Sequence, residues 1–385
     1  DYEWASGKEN LFNVVHAQTI NNFSFELDFT SMIAEGLYVR QAVRDINVGT
    51  RVSYHTNKNR YGFDLAYIFN LFSLNENGGI ENDTLFETGL KVRSISVKFE
   101  NAQSNNQDHD VFFRQYLNLS KNKTINVTNY YYLGYLVHDF EFSTLKSLYN
   151  DHDLNLEYYN IANYDSLFTF DSLSSYQLRN SLMWTNYMND DTSLVNRNHF
   201  VHLVFGVSHA YSKTGDSCSN YYTYSLTPFT NIHIRIIRYL ELKLNGLYSF
   251  HGYNSNDITA GLNLSWQFKN EKDIYHALSI NSNFYRYQPD YFYTNYFANT
   301  YNWKNENLKK QQHFQVGLEW QYDKYKVDIN YYTLQNTMII GEDMLPNQLD
   351  KAANIMQFAA LVPFRYKGFG FDATMFVQYC DQKYI

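Results

Sequence analysis

From Tyr61 to Leu71 almost every second residue is large and apolar. Tyr61, Phe63, Leu65, Tyr67, Phe69 and Leu71 fall on one side of an extended strand. Gly62, Asp64, Ala66 and Asn70 fall on the other, with Ile68 and Phe72 as exceptions. A period of two marks a strand with one apolar face. A polar loop follows at Asn75–Thr84, with Gly78 and Gly79 suited to turning. This unit, a long two-faced strand and then a polar connection, recurs to the end of the chain.

The expected strands are Leu11–Thr19, Phe23–Thr30, Ile46–His55, the Tyr61 strand, His109–Leu119, Asn126–Phe140, Tyr176–Tyr187 and His199–Ala210. They continue with Tyr221–Ile234, Leu240–Ser249, Ile258–Phe268, Ile274–Arg286, Phe314–Tyr322, Tyr325–Tyr331, Ile355–Phe364 and Phe369–Tyr379. Short connections fall at 20–22, 57–59, 120–125, 235–238, 269–273, 323–324 and 365–368. Long ones fall at 33–45, 74–108, 141–175, 211–220, 288–311 and 337–354. Short turns at one rim and long loops at the other are the pattern of a transmembrane β-barrel. Val92–Phe99 alternates weakly, but counting it as a wall strand would break the short–long order. Sixteen wall strands are therefore expected in one antiparallel barrel domain over 1–385, with 74–108 and 141–175 folding over or into the lumen.

Two readings share this alternation. A soluble antiparallel sheet with one wet face predicts it equally. The barrel is favoured because many segments reach ten residues or more, against about 5–6 in ordinary strands. The apolar rows also end in aromatics (Tyr248 and Phe250, Trp266 and Phe268, Trp320 and Tyr322), where interfacial girdles belong. The 37 Tyr and 29 Phe against 4 Pro suit strands and a membrane interface alike. No run of eighteen apolar residues exists, so no transmembrane helix is expected. Nor does a signal peptide stand at Asp1, so an outer-membrane protein would be present here as a processed form or a fragment.

The 31 basic and 39 acidic residues include no basic run, which argues against a nucleic-acid partner. Cys218 and Cys380 give neither a disulfide framework nor a zinc spacing. No nucleophile elbow, phosphate loop, CxxC or HExxH is present, so neither enzymatic activity nor a cofactor is expected. Asp108–His109–Asp110 and Asp151–His152–Asp153 read as solvated loop charge, without the spacing of a metal site. The N-x-S/T matches at Asn22, Asn82, Asn118, Asn122 and Asn126 read as chance in an Asn-rich chain. Glu26 and Asp28 share a strand face and are expected to line a wet lumen rather than to do acid–base work. Arg51, Asp64, Glu241, Lys243, Glu319, Lys326, Asp328 and Asp372 fall on corresponding polar faces. Their mixed signs imply little charge selectivity, with a mild preference for cations. Phe25, Phe29, Phe63, Tyr67, Trp266, Trp320 and Tyr331 are expected to face lipid.

Four stretches carry a resemblance: GKENLFNVVHAQTINN (Gly7–Asn22), EGLY (Glu35–Tyr38), NRYGFDLAYIFN with NENGGIENDTLFE (within Asn59–Glu87), and YNIANYDSLFTFDS (Tyr159–Ser172). Together they resemble the putative porin family of Bacteroidetes-type outer membranes. The resemblance runs the whole length and is strongest in the first ninety residues. It implies an outer-membrane β-barrel and a pore, with the lipid bilayer and small solutes as partners. Family members extend beyond both ends of the part matched, so the chain resembles a central portion. Two functions are carried forward. One is a channel passing small hydrophilic solutes passively. The other is a closed or plugged barrel serving as scaffold to other outer-membrane proteins in a secretion or uptake complex.

Overall fold

The computed structural model describes all residues except 1, 6–8, 58, 83, 86–88, 120–132, 160, 188–199, 270–274 and 383–385. Its strands are β1 Tyr2–Ala5, β2 Glu9–Ile20, β3 Phe23–Ala34, β4 Val43–His55, β5 Tyr61–Glu76, β6 Ala102–Asn118 and β7 Tyr135–Asp151. After the short helix α1 (Leu156–Tyr159) come β8 Thr169–Thr185, β9 Phe200–Gly215, β10 Asn220–Ile237, β11 Leu240–Tyr248, β12 His251–Gly252, β13 Ile258–Lys269 and β14 Tyr275–Tyr287. Helix α2 (Tyr291–Thr294) precedes the hairpin β15 Asn295–Phe297 and β16 Asn302–Lys304. The remainder is β17 Gln311–Tyr322, β18 Tyr325–Gln335, the hairpin β19 Met338–Ile340 and β20 Pro346–Gln348, then β21 Ala353–Tyr366 and β22 Phe369–Cys380.

Among the described residues, setting aside β1, β12 and the two small hairpins leaves sixteen long strands, of 9 to 18 residues each. Each pairs antiparallel with the next, so the sheet is one continuous meander. Lengths of about 9–11 residues are enough for a tilted barrel strand to cross a bilayer. Val92–Phe99 does not cross the wall. It holds a single 3-10 turn at Val92–Ser94 and a bridge from Val97 back to Ile80. Among the described residues no pairing joins β22 to β1 or β2. β22 is accordingly exposed at nearly every position on both faces.

Several strands run further than alternation alone indicates. β7 continues to Asp151 and β8 begins at Thr169, so the loop expected over 141–175 shrinks to 152–168. The loop expected over 74–108 shrinks to 77–101, because Gln103–Asp108 pairs residue by residue with Asn75–Asn70. The connection expected over 211–220 is only the turn 216–219. The physical reason is common to all three. Ladder hydrogen bonds come from the backbone, so a polar run extends a strand whenever its neighbour reaches as far. The start expected at Asn126 and the turn at 120–125 lie outside the described residues, and β7 begins at Tyr135.

The sheet is curled with its polar face inside. One concavity of about 790 Å3 is bounded by side chains from β4 through β14, from Arg51 to Tyr287. No flat sheet could bring those strands to one cavity. The apolar face points outward and stays uncovered: Phe205, Leu262, Trp266, Leu318, Trp320 and Ile329 are all exposed. A soluble sheet would bury this face and wet the other, so exposed aromatic rows of this extent exclude the soluble alternative. The buried core lies beneath the loops, where Phe99, Ala102 and Tyr159 pack with Tyr149 and Leu154.

On the inner face, glycines make room for asparagines. Gly261 stands between Asn245 and Asn283 in register, and an added Cβ would lie 2.1 Å from Asn245 Oδ1. Gly261→Val is expected to destabilise the sheet by about 1–3 kcal/mol through overpacking. Equilibrium urea unfolding from lipid vesicles would read this, and an unchanged midpoint would refute it.

Candidate functional site

The inner face carries an unbroken polar row across seven strands. Ser53, Asp64, Arg114, Asp139, Ser181, Ser208 and Thr227 are successive register partners. Directly opposed residues point to the same side, so the row follows from strand periodicity. Within it Arg114 grips Asp139 with two parallel bonds, Nε to Oδ1 and Nη2 to Oδ2, both 2.7 Å. Asp139 is 6% exposed, so this is a bidentate pair with a desolvated acid. On either side stand Arg51–Asp64 at 3.1 Å and Arg179–Glu141 at 3.4 Å. The concavity is lined by four arginines (Arg51, Arg114, Arg179, Arg286) and four acids (Asp64, Asp139, Glu141, Asp257).

Register places all ten polar candidates on this inner face. Arg51 and Asp64 line the concavity, and Glu26 shares a smaller recess with Arg51. Asp28 accepts from Asn13 Nδ2 at 3.3 Å. Glu241 is held by Arg235 and by His233 Nε2 at 3.0 Å. Lys243 lies in a recess with His202 and His233. Lys326 reaches Glu319 at 3.2 Å and Asp328 at 3.4 Å, and Arg365 reaches Asp372 at 2.6 Å. The seven aromatic candidates share the outer face by register, as in Trp266 opposite Leu240 and Leu278, or Tyr331 opposite Val316. Arg114, Asp139, Glu141, Arg179, Asp257 and Arg286 are the charged lining residues that were not among those candidates. The signal existed for three of them: Phe140 and Phe142 alternate with Asp139 and Glu141, and Leu178 and Leu182 flank Arg179 and Ser181.

Asp108–His109–Asp110 is no loop. It lies within β6, so its side chains alternate. Asp108 accepts from Asn70 Nδ2 at 2.6 Å, while the His109 ring packs on Phe69 from the opposite face. Asp151 ends β7 and accepts from Tyr159 Oη at 3.1 Å. No three metal-binding side chains converge among the described residues.

Above the inner face, loops from distant strands dock. Asn299, in the β15–β16 hairpin, is fully buried. Its Oδ1 accepts from the Tyr164 and Asp165 amides at 2.9 and 3.1 Å. Its Nδ2 donates to the Asp165 and Phe168 carbonyls at 2.7 and 3.1 Å. Its own amide donates to Asp171 Oδ1 at 2.6 Å, and its carbonyl accepts from the Asn163 amide at 2.8 Å. The segment between β14 and β17 thus reaches the loop between β7 and β8, past the ends of the strands that separate them.

The phenols here sit in a burying, negative setting. Burial, then Asp171 and Asp216, pushes Tyr296 up to about 12, and burial with a hydrogen bond to Asp171 does the same to Tyr164. A phenol raised by folding holds its proton more tightly in the folded state. The stability it carries is whole below its ordinary value of 10.0 and is lost as pH climbs through about 12. Subtracting the phenolate absorbance titration of Tyr296→Phe from that of the unsubstituted protein should leave a curve with its midpoint near 12. A midpoint at 10 would refute the buried setting.

Against known proteins, a family model described as putative porin matches residues 1–385. No curated protein matches the sequence. Among solved structures the chain is similar to the siderophore receptor PirA from Pseudomonas aeruginosa, at TM-score 0.62 and 10% identity over 97% of this chain and 62% of that one. It is similar also to a mutant ferric enterobactin receptor, PfeA, from the same organism (0.62, 11%, 99% and 61%). The copper transporter OprC gives 0.64 and 9% over 98% and 60%. The chain therefore spans about three-fifths of the length of these structures, and the likeness is one of fold.

Proposed function

Because the chain belongs to the putative porin family, whose model matches it end to end, we propose that it forms a pore passing small hydrophilic solutes passively across the bacterial outer membrane. The observation that carries this reading is the concave inner face, where four arginines and four acids surround about 790 Å3. Paired charges of both signs keep such a surface wet while favouring neither ion strongly. The ten polar candidates are pore-lining residues in this reading, and the seven aromatics face lipid. The outer membrane is where such a barrel resides, with the bilayer covering its apolar face.

One observation favours the plugged-barrel alternative. The docked loops 152–168 and 288–310 could shut the mouth, and such a barrel would serve partner proteins instead. Planar-bilayer conductance separates the two readings. The pore reading expects steady conductance from the intact protein, with weak ion selectivity. Conductance that appears only after 152–168 is replaced by a short linker would favour the plugged barrel. Failure to insert in either form would overturn both.

A further inference from the structure

At the rim of the inner face, three loops enclose a cleft of about 380 Å3. Rings supply most of its surface. Phe99 is fixed beneath, stacked on Tyr159 at 5.3 Å and meeting Tyr158 edge-on at 4.6 Å. Gly78 presses on it so closely that an added Cβ would lie 2.7 Å from the ring. Tyr158 and Tyr301 form exposed edges, and Tyr296 lines the interior.

Two carboxylates share this cleft, Glu76 and Asp171. Asp171 is 5% exposed, and all its partners are neutral: Tyr164 Oη at 2.8 Å, the Asn299 amide at 2.6 Å and Thr169 Oγ1 at 2.8 Å. Glu76 accepts from Ser104 Oγ at 2.7 Å. No basic side chain lines the cleft, and neither acid has a salt-bridge partner among the described residues. A buried carboxylate without a counter-cation is costly, and aromatic faces attract cations. Lys98, which is not among the lining residues, shows the same attraction, its Nζ 5.7 Å over the Tyr158 ring.

We propose that this cleft binds a small alkylated ammonium ion, its charge facing Glu76 and Asp171 and its alkyl groups against the rings. A metal ion would demand several oxygen ligands that rings do not offer. An anion would meet two acids, and a neutral sugar would leave both acids without a counter-cation. The proposal does not depend on whether the barrel conducts.

The test is calorimetric titration of the detergent-solubilised protein with choline and with 3,3-dimethylbutan-1-ol, its neutral isostere. Choline should bind, and the isostere about tenfold more weakly or worse. Glu76→Gln and Tyr301→Ala should each weaken choline by about tenfold while the thermal unfolding midpoint stays put. Equal binding of the two compounds would overturn the proposal in favour of an uncharged apolar cleft. No binding of choline would overturn it, as would binding indifferent to both substitutions or competed by methyl glucoside.

Discussion

Asn299→Ala should release the clamp between the 152–168 and 288–310 loops. The substitution removes four hydrogen bonds made by one buried amide side chain, two accepted and two donated. All four partners are backbone groups of the Tyr164–Phe168 segment, and they would be left in a cavity the size of the missing amide. At about 0.5–1.5 kcal/mol each, the lost bonds come to about 2–6 kcal/mol of docking free energy. Loop docking rarely has that much in reserve, so the segment should open locally while the wall holds. Hydrogen exchange reads the outcome directly. The Tyr164 and Asp165 amides should lose protection, and the ladder amides of β7 and β8 should keep theirs. Asn299→Asp should be no better, because it loses both donors and sets a second carboxylate close to Asp171. If both variants leave Tyr164 and Asp165 protected, Asn299 is not the clamp. Conductance of the same variants then bears on the mouth. A rise would mean that the docked loops obstruct it, and no change would mean that they lie beside it.

The wall was far more legible than the rim, for a physical reason. Alternation reports which face of a strand is apolar, and that face recurs in every wall strand. The turn and facing rows of the β17–β18 hairpin could be read, with Phe314–Tyr322 and Tyr325–Tyr331 meeting at Asp323–Lys324, where Asp323 takes a positive φ of 51°, although the strands run on to Gln311 and Gln335. Alternation is silent where both faces are polar. Gln103–Asp108 reads as loop yet forms strand, because its pairing partner β5 is present and backbone bonding ignores side-chain type. The Arg114–Asp139 pair was hidden for another reason. Its members are 25 residues apart, and only the register of β6 against β7 brings them opposite. The clamp lies deeper still. Asn163 and Asn299 sit in loops whose contact depends on how far the whole sheet curls, and no local pattern encodes that curvature.

Arg114 offers the sharper test of what the inner face does. Removing its guanidinium leaves Asp139 almost fully buried with both carboxylate oxygens unsatisfied. Breaking a buried pair from one side costs about 3–5 kcal/mol. The Arg114 side chain is 38% exposed and Asp139 borders the wet concavity, so Arg114→Ala should fall below that range, at about 1–3 kcal/mol. The double change Arg114→Gln with Asp139→Asn removes both charges and keeps a hydrogen-bonding pair. It should recover much of the loss, as unfolding in a double-mutant cycle would show. Selectivity supplies the functional arm. Four positive and four negative side chains line the concavity, so Arg114→Ala leaves a net charge of −1 and Asp139→Asn a net of +1. If this face lines the conducting path, the first variant should turn the pore toward cations and the second toward anions, as reversal potentials in a salt gradient would report. Both shifts should be largest in dilute salt and fade near 1 M, where the screening length falls to about 3 Å. Fold damage alone could alter conductance in either variant, but it would not shift selectivity in opposite directions. Two variants with unchanged reversal potentials would place the conducting path away from this face and leave Arg114–Asp139 as a structural pair.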